Sequence, residues 1–415
     1  MAWLQEKFQR SPLMLALDSR LNVSPAQRIK RLSIVLSLAL LCGFLLSRRL
    51  WLSTRDYPLT PVADFLPALR FPLDHLAFAL LLLLPVGIIV SARPRKLLSL
   101  FVTLIMLLML CDQSRWQPWC YQYVFMLLAL ACYSWRAGET GREAEAAAET
   151  LDACRLIVAA VYFWSGLHKI NPAFIRELFP ALLEPYVRYL PETLRVTAYW
   201  LAPFVPLAEV GVGVGLLSRR YRNPAIYLAL ALHASILILF VPVRRNVVIW
   251  PWNVAMACFA VILFRRAGHS MFPTLRQFLV GRRQLLSKLI LVLFGVAPFL
   301  NFFGYWNAYL SSSLYSGKTI YGYVDVSAEV RERLPPGARS YVRVRGDGQA
   351  LVDVTRWSFG ELNVPPYPAE RVYKNVAHRI CAHATRPSEV VLEIHGEPGL
   401  FSRTRNVERY DCASL

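Results

Sequence analysis

Two uninterrupted apolar runs set the strongest limit on what this chain can become. Leu76–Val90 reads LAFALLLLLPVGIIV and Ile226–Val241 reads IYLALALHASILILFV. Each approaches the ~20 residues that cross a bilayer as a helix. The apolar residues collect in such blocks rather than spreading evenly. The chain is 56% hydrophobic and 18% charged, against about 25% charged in soluble domains. An integral membrane protein is implied.

The net charge of +19 would point to nucleic acid in a soluble protein. Here the basic residues flank the apolar blocks, as at Arg93-Pro94-Arg95-Lys96 and Ser218-Arg219-Arg220-Tyr221-Arg222. That is the pattern of cytoplasmic loops under the positive-inside rule, so no nucleic-acid partner is expected. The predicted partner is the lipid bilayer of the cell inner membrane. The fold class expected is an all-α polytopic bundle of about nine spans with a small C-terminal α+β domain outside the membrane. The spans fall near 32–47, 76–92, 97–112, 119–135, 152–170, 198–217, 224–242, 247–264 and 285–303. A cytoplasmic N-terminus and an extracytoplasmic, periplasmic C-terminus follow from the basic-loop count.

Three regions result. Residues 1–31 read as a cytoplasmic amphipathic segment with Trp3, Leu4 and Phe8 as anchors. Residues 32–309 hold the spans, with an interfacial helix expected in Pro172–Thr197 and a surface helix in the basic loop 265–283. Residues 310–415 regain ordinary charge. Tyr341–Val344 and Leu351–Val354 flank Gly346-Asp347-Gly348 as a hairpin, Ala369–Ala384 has helical periodicity, and Val390–Ile394 and Val407–Tyr410 read as strands. Six cysteines lie singly in or beside spans as small apolar fillers. Cys381 and Cys412 fall together in the C-terminal region, where a disulfide would staple a thin core.

Ionisable groups at membrane depth are functional candidates by default. Lys169 ends the fifth span, Glu209 lies in the sixth and His233 in the seventh. A lysine there either snorkels to the headgroups or sits in a dry pocket where it can act as a base. Glu209 needs a cation or a proton, and His233 is either a satisfied core residue or part of a site. The glycines at 211, 213 and 215 favour close helix packing. His, Cys and carboxylate spacings suit no metal site, and hydrolase, phosphate-loop and dinucleotide fingerprints are lacking.

The stretch Tyr162–Asn171, YFWSGLHKIN, resembles the YF-x-AG-x-KK-L motif of vitamin K-dependent gamma-carboxylases and of the bacterial horizontally transferred transmembrane domain group. Asp112–Tyr123, Glu209, Leu232-His233 and Tyr305–Gly317 resemble further family segments in the same order. The resemblance covers roughly residues 30–325. It implies Lys169 as the base acting on reduced vitamin K or menaquinone, with His168 and His233 orienting groups or relaying protons. Glu209 would tune the lysine or hold a helix; a Glu209–Lys169 ion pair would favour a structural role for both. Tyr162, Ser165 and Gly166 share the Lys169 face, leaving room for a flat ring, with Trp119, Tyr121, Trp250 and Trp252 suited to its walls. Trp119 stands where the carboxylases carry a histidine, and about 100 residues replace their large lumenal part. Two functions follow as expectations: a quinone-dependent carboxylase-like enzyme, or a non-catalytic membrane protein that binds lipid or quinone or anchors a partner.

Overall fold

The computed structural model describes residues 24–135, 141–242, 246–265, 271, 285–344, 350–399 and 404–415. The expected amphipathic segment, except for its last residues, lies outside these, as do nearly all of the basic loop 265–283 and the turn at Gly346-Asp347-Gly348. Helix α1 (Pro25–Leu46) begins earlier than expected. Ser24 accepts from the Gln27 backbone N–H while the Gln27 side chain accepts from the Ser24 N–H, a reciprocal cap with proline at the first helical position. Residues 25–31 therefore belong to the first membrane helix.

The remaining membrane helices are α2 (Leu73–Val90), α3 (Arg95–Cys111), α4 (Pro118–Cys132), α5 (Gly141–Lys169), α6 (Phe179–Val187), α7 (Glu192–Tyr199), α8 (Phe204–Leu217), α9 (Arg222–Phe240), α10 (Ile249–Phe259) and α11 (Leu285–Ile290). Wider helical turns prolong α10 to Phe264 and α11 to Val296, and tighter turns carry α11 on to Phe303. A helix coincides with each of the nine expected stretches. Among the described residues, however, five are long and apolar enough to cross a membrane: Pro25–Leu46, Leu73–Val90, Glu192–Leu217, Arg222–Phe240 and Leu285–Phe303. Five of the nine expected spans are matched by that measure, and Pro118–Cys132 and Ile249–Phe264 are shorter apolar helices on two more of them. Helix α4 has only 15 residues and α3 17. The 29-residue α5 opens on a run that includes Glu143, Glu145 and Glu149. Pro172–Thr197 folds as expected into short pieces, with a wide helical turn at Phe174–Leu178 leading into α6 and then α7.

Glycines let the central helices touch. A Cβ on Gly213 would lie 2.7 Å from the Phe163 backbone nitrogen and 2.9 Å from the Ala159 carbonyl oxygen. One on Gly215 would meet the Ala225 Cβ at 2.8 Å. Helix α8 thus lies backbone-to-backbone on α5 and close to α9, the small-residue packing of membrane bundles.

The C-terminal region is an α+β domain, as read. Strands β1 (Tyr321–Val326), β2 (Val342–Val344), β3 (Ala350–Asp353), β4 (Val390–His395) and β5 (Val407–Asp411) form one antiparallel sheet in the order β2-β3-β1-β4-β5. Val324 pairs with Val352 on one side and Leu392 on the other, all three fully buried. Two short helices, Ala328–Arg333 and Pro336–Arg339, and the longer α12 (Val354–Leu362) and α13 (Glu370–Cys381) complete the domain, and Gly322 admits the Tyr373 ring of α13. Cys381 and Cys412 form the expected disulfide, with Cα atoms 5.8 Å apart.

This sheet domain is fastened to the α1–α2 connection. The Glu361 carboxylate accepts from the Asp56 and Tyr57 backbone N–H groups at 2.8 and 2.9 Å and from Trp357 Nε1 at 2.8 Å. Asn375 Nδ2 donates to the Leu59 carbonyl and Thr60 Oγ1. Beneath it, Asp112 accepts from Arg55 Nη2 at 2.6 Å, and Arg115 donates to the carbonyls of Leu50, Trp51 and Leu108. Burial lowers the Arg115 guanidinium to about 10, with Asp112 opposing that shift.

Candidate functional site

The last two turns of α5 carry the site. Lys169, Ser165 and Tyr162 sit at spacings of four and three, so they share one face. Gly166 lies on that face too, but its space is not left for a ligand. A Cβ there would stand 2.6 Å from the Pro206 carbonyl oxygen, 2.7 Å from the Val210 nitrogen and 2.9 Å from the Glu209 Cβ. Helix α8 occupies the gap, and this close approach brings Glu209 to Lys169.

Lys169 Nζ donates to Glu209 Oε2 at 2.6 Å, Glu209 Oε1 at 2.9 Å and Ser165 Oγ at 2.6 Å. Both charged side chains are about nine-tenths buried. An ammonium has three N–H donors and no acceptor, and here each donor has an oxygen. This geometry is the Glu209–Lys169 ion pair that favours a structural role for both side chains over a free lysine base. The snorkelling alternative fails as well, since the amine turns inward to a carboxylate.

A second polar chain lies beside the pair. Asn253 Nδ2 donates to the Ile249 carbonyl at 2.8 Å, which leaves Oδ1 toward His233 Nδ1, also at 2.8 Å. An amide oxygen only accepts, so Nδ1 carries the imidazole proton. His233 Nε2 is then the acceptor for the Tyr162 hydroxyl, with which it is hydrogen-bonded. The order is Tyr162 O–H to His233 to Asn253, and the Tyr162 oxygen keeps its lone pairs for another donor.

Both chains border one cavity of about 190 Å³. That exceeds the ~150 Å³ apolar cavities that take up benzene. Its remaining wall is largely apolar, from Leu183 on α6, Val205 on α8, Ile236 and Leu239 on α9, and Trp252 and Met256 on α10. Exposed Ser235 on α9 also lines it, which places an opening on the lateral face of the bundle.

The site therefore unites Lys169, Tyr162, Glu209, His233 and Trp252 of the expected residues, and not the others. His168 is buried on the opposite flank, its ring 4.4 Å from Phe302 and 6.0 Å from Trp164. Successive helix residues point about 100° apart, so with Lys169 turned inward His168 cannot reach the cavity. Trp119 packs against Gly43 and Phe44 instead. Tyr121 stacks on Phe294 at 4.8 Å. Trp250 packs beside the Phe240–Tyr309 cluster rather than on the cavity wall. Asn253 is a site residue that was not among the expected ones. Its spacing of four from Ile249 on a helix, facing a buried histidine, was the available signal.

Comparison with known proteins gives a partial match. No curated protein and no solved structure matches the chain. The chain is an integral membrane protein. Over residues 147–241, less than a quarter of its length, it is similar to the family described as methylamine utilisation protein MauE, and that stretch contains Tyr162, Lys169, Glu209 and His233.

Proposed function

We propose that this multi-pass protein binds a lipid-soluble, ring-bearing ligand of the quinone class in the α5 cavity and exchanges protons with it through Tyr162 and His233. One observation carries the reading: a largely apolar cavity, open on the lateral face, with two ordered polar chains, Lys169–Glu209 and Tyr162–His233–Asn253, on its wall. Ligand cavities of this kind are mostly apolar, with a few polar groups fixing orientation. The resemblance at Tyr162–Asn171 supports reduced vitamin K or menaquinone as the ligand. A bound hydroquinone would supply two-electron redox chemistry.

The protein's own part is proton handling. The Tyr162 oxygen accepts a hydrogen bond from a ligand hydroxyl. As that proton arrives, the phenol passes its own proton to His233 Nε2, and Asn253 Oδ1 holds the resulting imidazolium by Nδ1–H. The Lys169–Glu209 pair is a fixed dipole beside the relay, whose positive end steadies negative charge on a ligand oxygen. Lys169 is thus an anchor in this scheme rather than the base. The scheme places the N-terminus in the cytoplasm and the sheet domain on the periplasmic side of the inner membrane, because the loops at Arg93–Lys96 and Arg219–Arg222 then face inward.

A non-catalytic ligand-binding role is the second reading, favoured by the saturation of all three Lys169 donors. Binding and turnover of menaquinol by the purified protein under oxygen separate the two. Ile236→Trp, which fills the cavity, should abolish binding. Tyr162→Phe should retain binding within a few fold and lose turnover. Undiminished turnover in Tyr162→Phe would remove the relay, and binding without turnover in the wild type would establish the second reading.

A further inference from the structure

A second cavity, of about 460 Å³, lies between the membrane helices and the sheet domain. It shares Leu314 and Tyr315 with the first cavity, so one short segment walls both. That segment is set firmly. Ser312 and Tyr315 have φ of 58° and 56°, in the left-handed region that side-chain-bearing residues seldom enter. A Cβ on Gly317 (φ 74°) would lie 2.9 Å from the Phe174 nitrogen, so the backbone rests on the start of the interfacial helix.

Arg405 fixes the same segment and lines the second cavity. Its Nη1 donates to the carbonyls of Thr319 and Gly396 at 2.8 and 2.6 Å, and its Nη2 to that of Gly317 at 2.7 Å. The guanidinium lies over the Tyr321 ring, 4.8 Å from its centroid. A guanidinium has five N–H donors. Three are directed to these carbonyls; among the described residues, Nε–H and one Nη2–H have no partner, on a group that is already positioned. The walls around it are Tyr309, Tyr373, Phe359, Pro365 and Pro366.

We propose that this second cavity binds a monoanionic carboxylate carried on an apolar or aromatic body. The carboxylate oxygens take the two remaining N–H groups of Arg405, the planar pairing that arginine makes best. The tyrosine and proline walls receive the body. The charged surroundings favour one negative charge over two. Glu177 lines the cavity at an exposed position, and the Glu177 and Glu397 carboxylates both act on Arg405. A phosphate ester would meet those carboxylates with a second charge. The site goes beyond the quinone reading and does not depend on it.

The test uses the full chain in lipid nanodiscs and three probes: 4-phenylbutanoate, its neutral amide, and phenethyl phosphate. Titration should show saturable binding of the acid, with the amide and the phosphate at least tenfold weaker. Arg405→Lys should erase the preference for acid over amide. Thr355→Phe, which fills the wall and leaves the Arg405 guanidinium in place, should weaken acid and amide together and melt near the wild type, whereas Arg405→Lys should melt somewhat lower because it gives up hydrogen bonds to the Gly317–Thr319 segment. Ile236→Trp, which blocks only the first cavity, should leave acid binding unchanged. Equal affinity for acid and amide, absence of saturable acid binding, or loss of it in Ile236→Trp would each overturn the proposal. A phosphate ester binding as tightly as the acid would overturn the monoanion assignment.

Discussion

Removing one member of the Lys169–Glu209 pair should cost far more than removing both. The two charges stand 2.6–2.9 Å apart at their closest atoms and are about nine-tenths buried. At an effective dielectric near 20, a pair at ~3 Å attracts by about 5–6 kcal/mol, which offsets much of the desolvation of each ion. Glu209→Leu strands a buried ammonium and Lys169→Met strands a buried carboxylate, each costing about 3–5 kcal/mol. The double variant Lys169→Met/Glu209→Leu removes both ions from an otherwise apolar wall. Its cost should be about 0–3 kcal/mol, against roughly 6–10 if the single effects simply added. Denaturant unfolding in mixed micelles, followed by tryptophan fluorescence, gives all four corners of the cycle. Additive losses would refute the reasoning, since they would mean that the two side chains do not stabilise each other.

Other consequences are as direct. Gly166→Val places side-chain atoms against the Pro206 and Val210 backbone, so it should destabilise by about 1–3 kcal/mol or more, measured by the same unfolding assay. Reduction of Cys381–Cys412, or its replacement by serines, should lower the stability of the sheet domain by about 2–4 kcal/mol, read by proteolysis of residues 310–415. Glu389 accepts from the Thr385 backbone N–H and from Arg386, which lowers its carboxyl to about 2 from an ordinary 4.5. Its contribution is complete above about pH 4.5 and is lost as pH falls toward 2, so Glu389→Gln should flatten the acid limb of a melting-temperature profile over that range.

How far the sequence could be read depended on whether a feature was local. Apolar runs such as Leu76–Val90 place helices because backbone hydrogen bonds within lipid must close inside the segment. The inward face of α5 was legible at Tyr162, Ser165 and Lys169 from helical spacing alone. The disulfide was legible from two cysteines in one thin domain. Glu209 was recognised as needing a partner, but its pairing with Lys169 depends on α8 lying against Gly166, a tertiary contact that local spacing does not specify. The aromatic wall failed for the same reason. Trp119, Tyr121 and Trp250 are plausible by type, yet each is turned to other helices by packing. Strand β1 went unread because Gly322 occupies an inward position where an apolar side chain would have marked the alternation, while Tyr321 and Tyr323 face outward.

The most direct measurement of the central claim is the position at which a quinone contacts the protein. Photolysis of an azido-naphthoquinone in nanodiscs, followed by peptide mapping, should place the label on 161–169, 205–209 and 232–240, the segments that face the α5 cavity, and Ile236→Trp should remove it. Label spread instead over the lipid-exposed leucines of α2, such as Leu76 and Leu83, and unaffected by Ile236→Trp, would contradict the account.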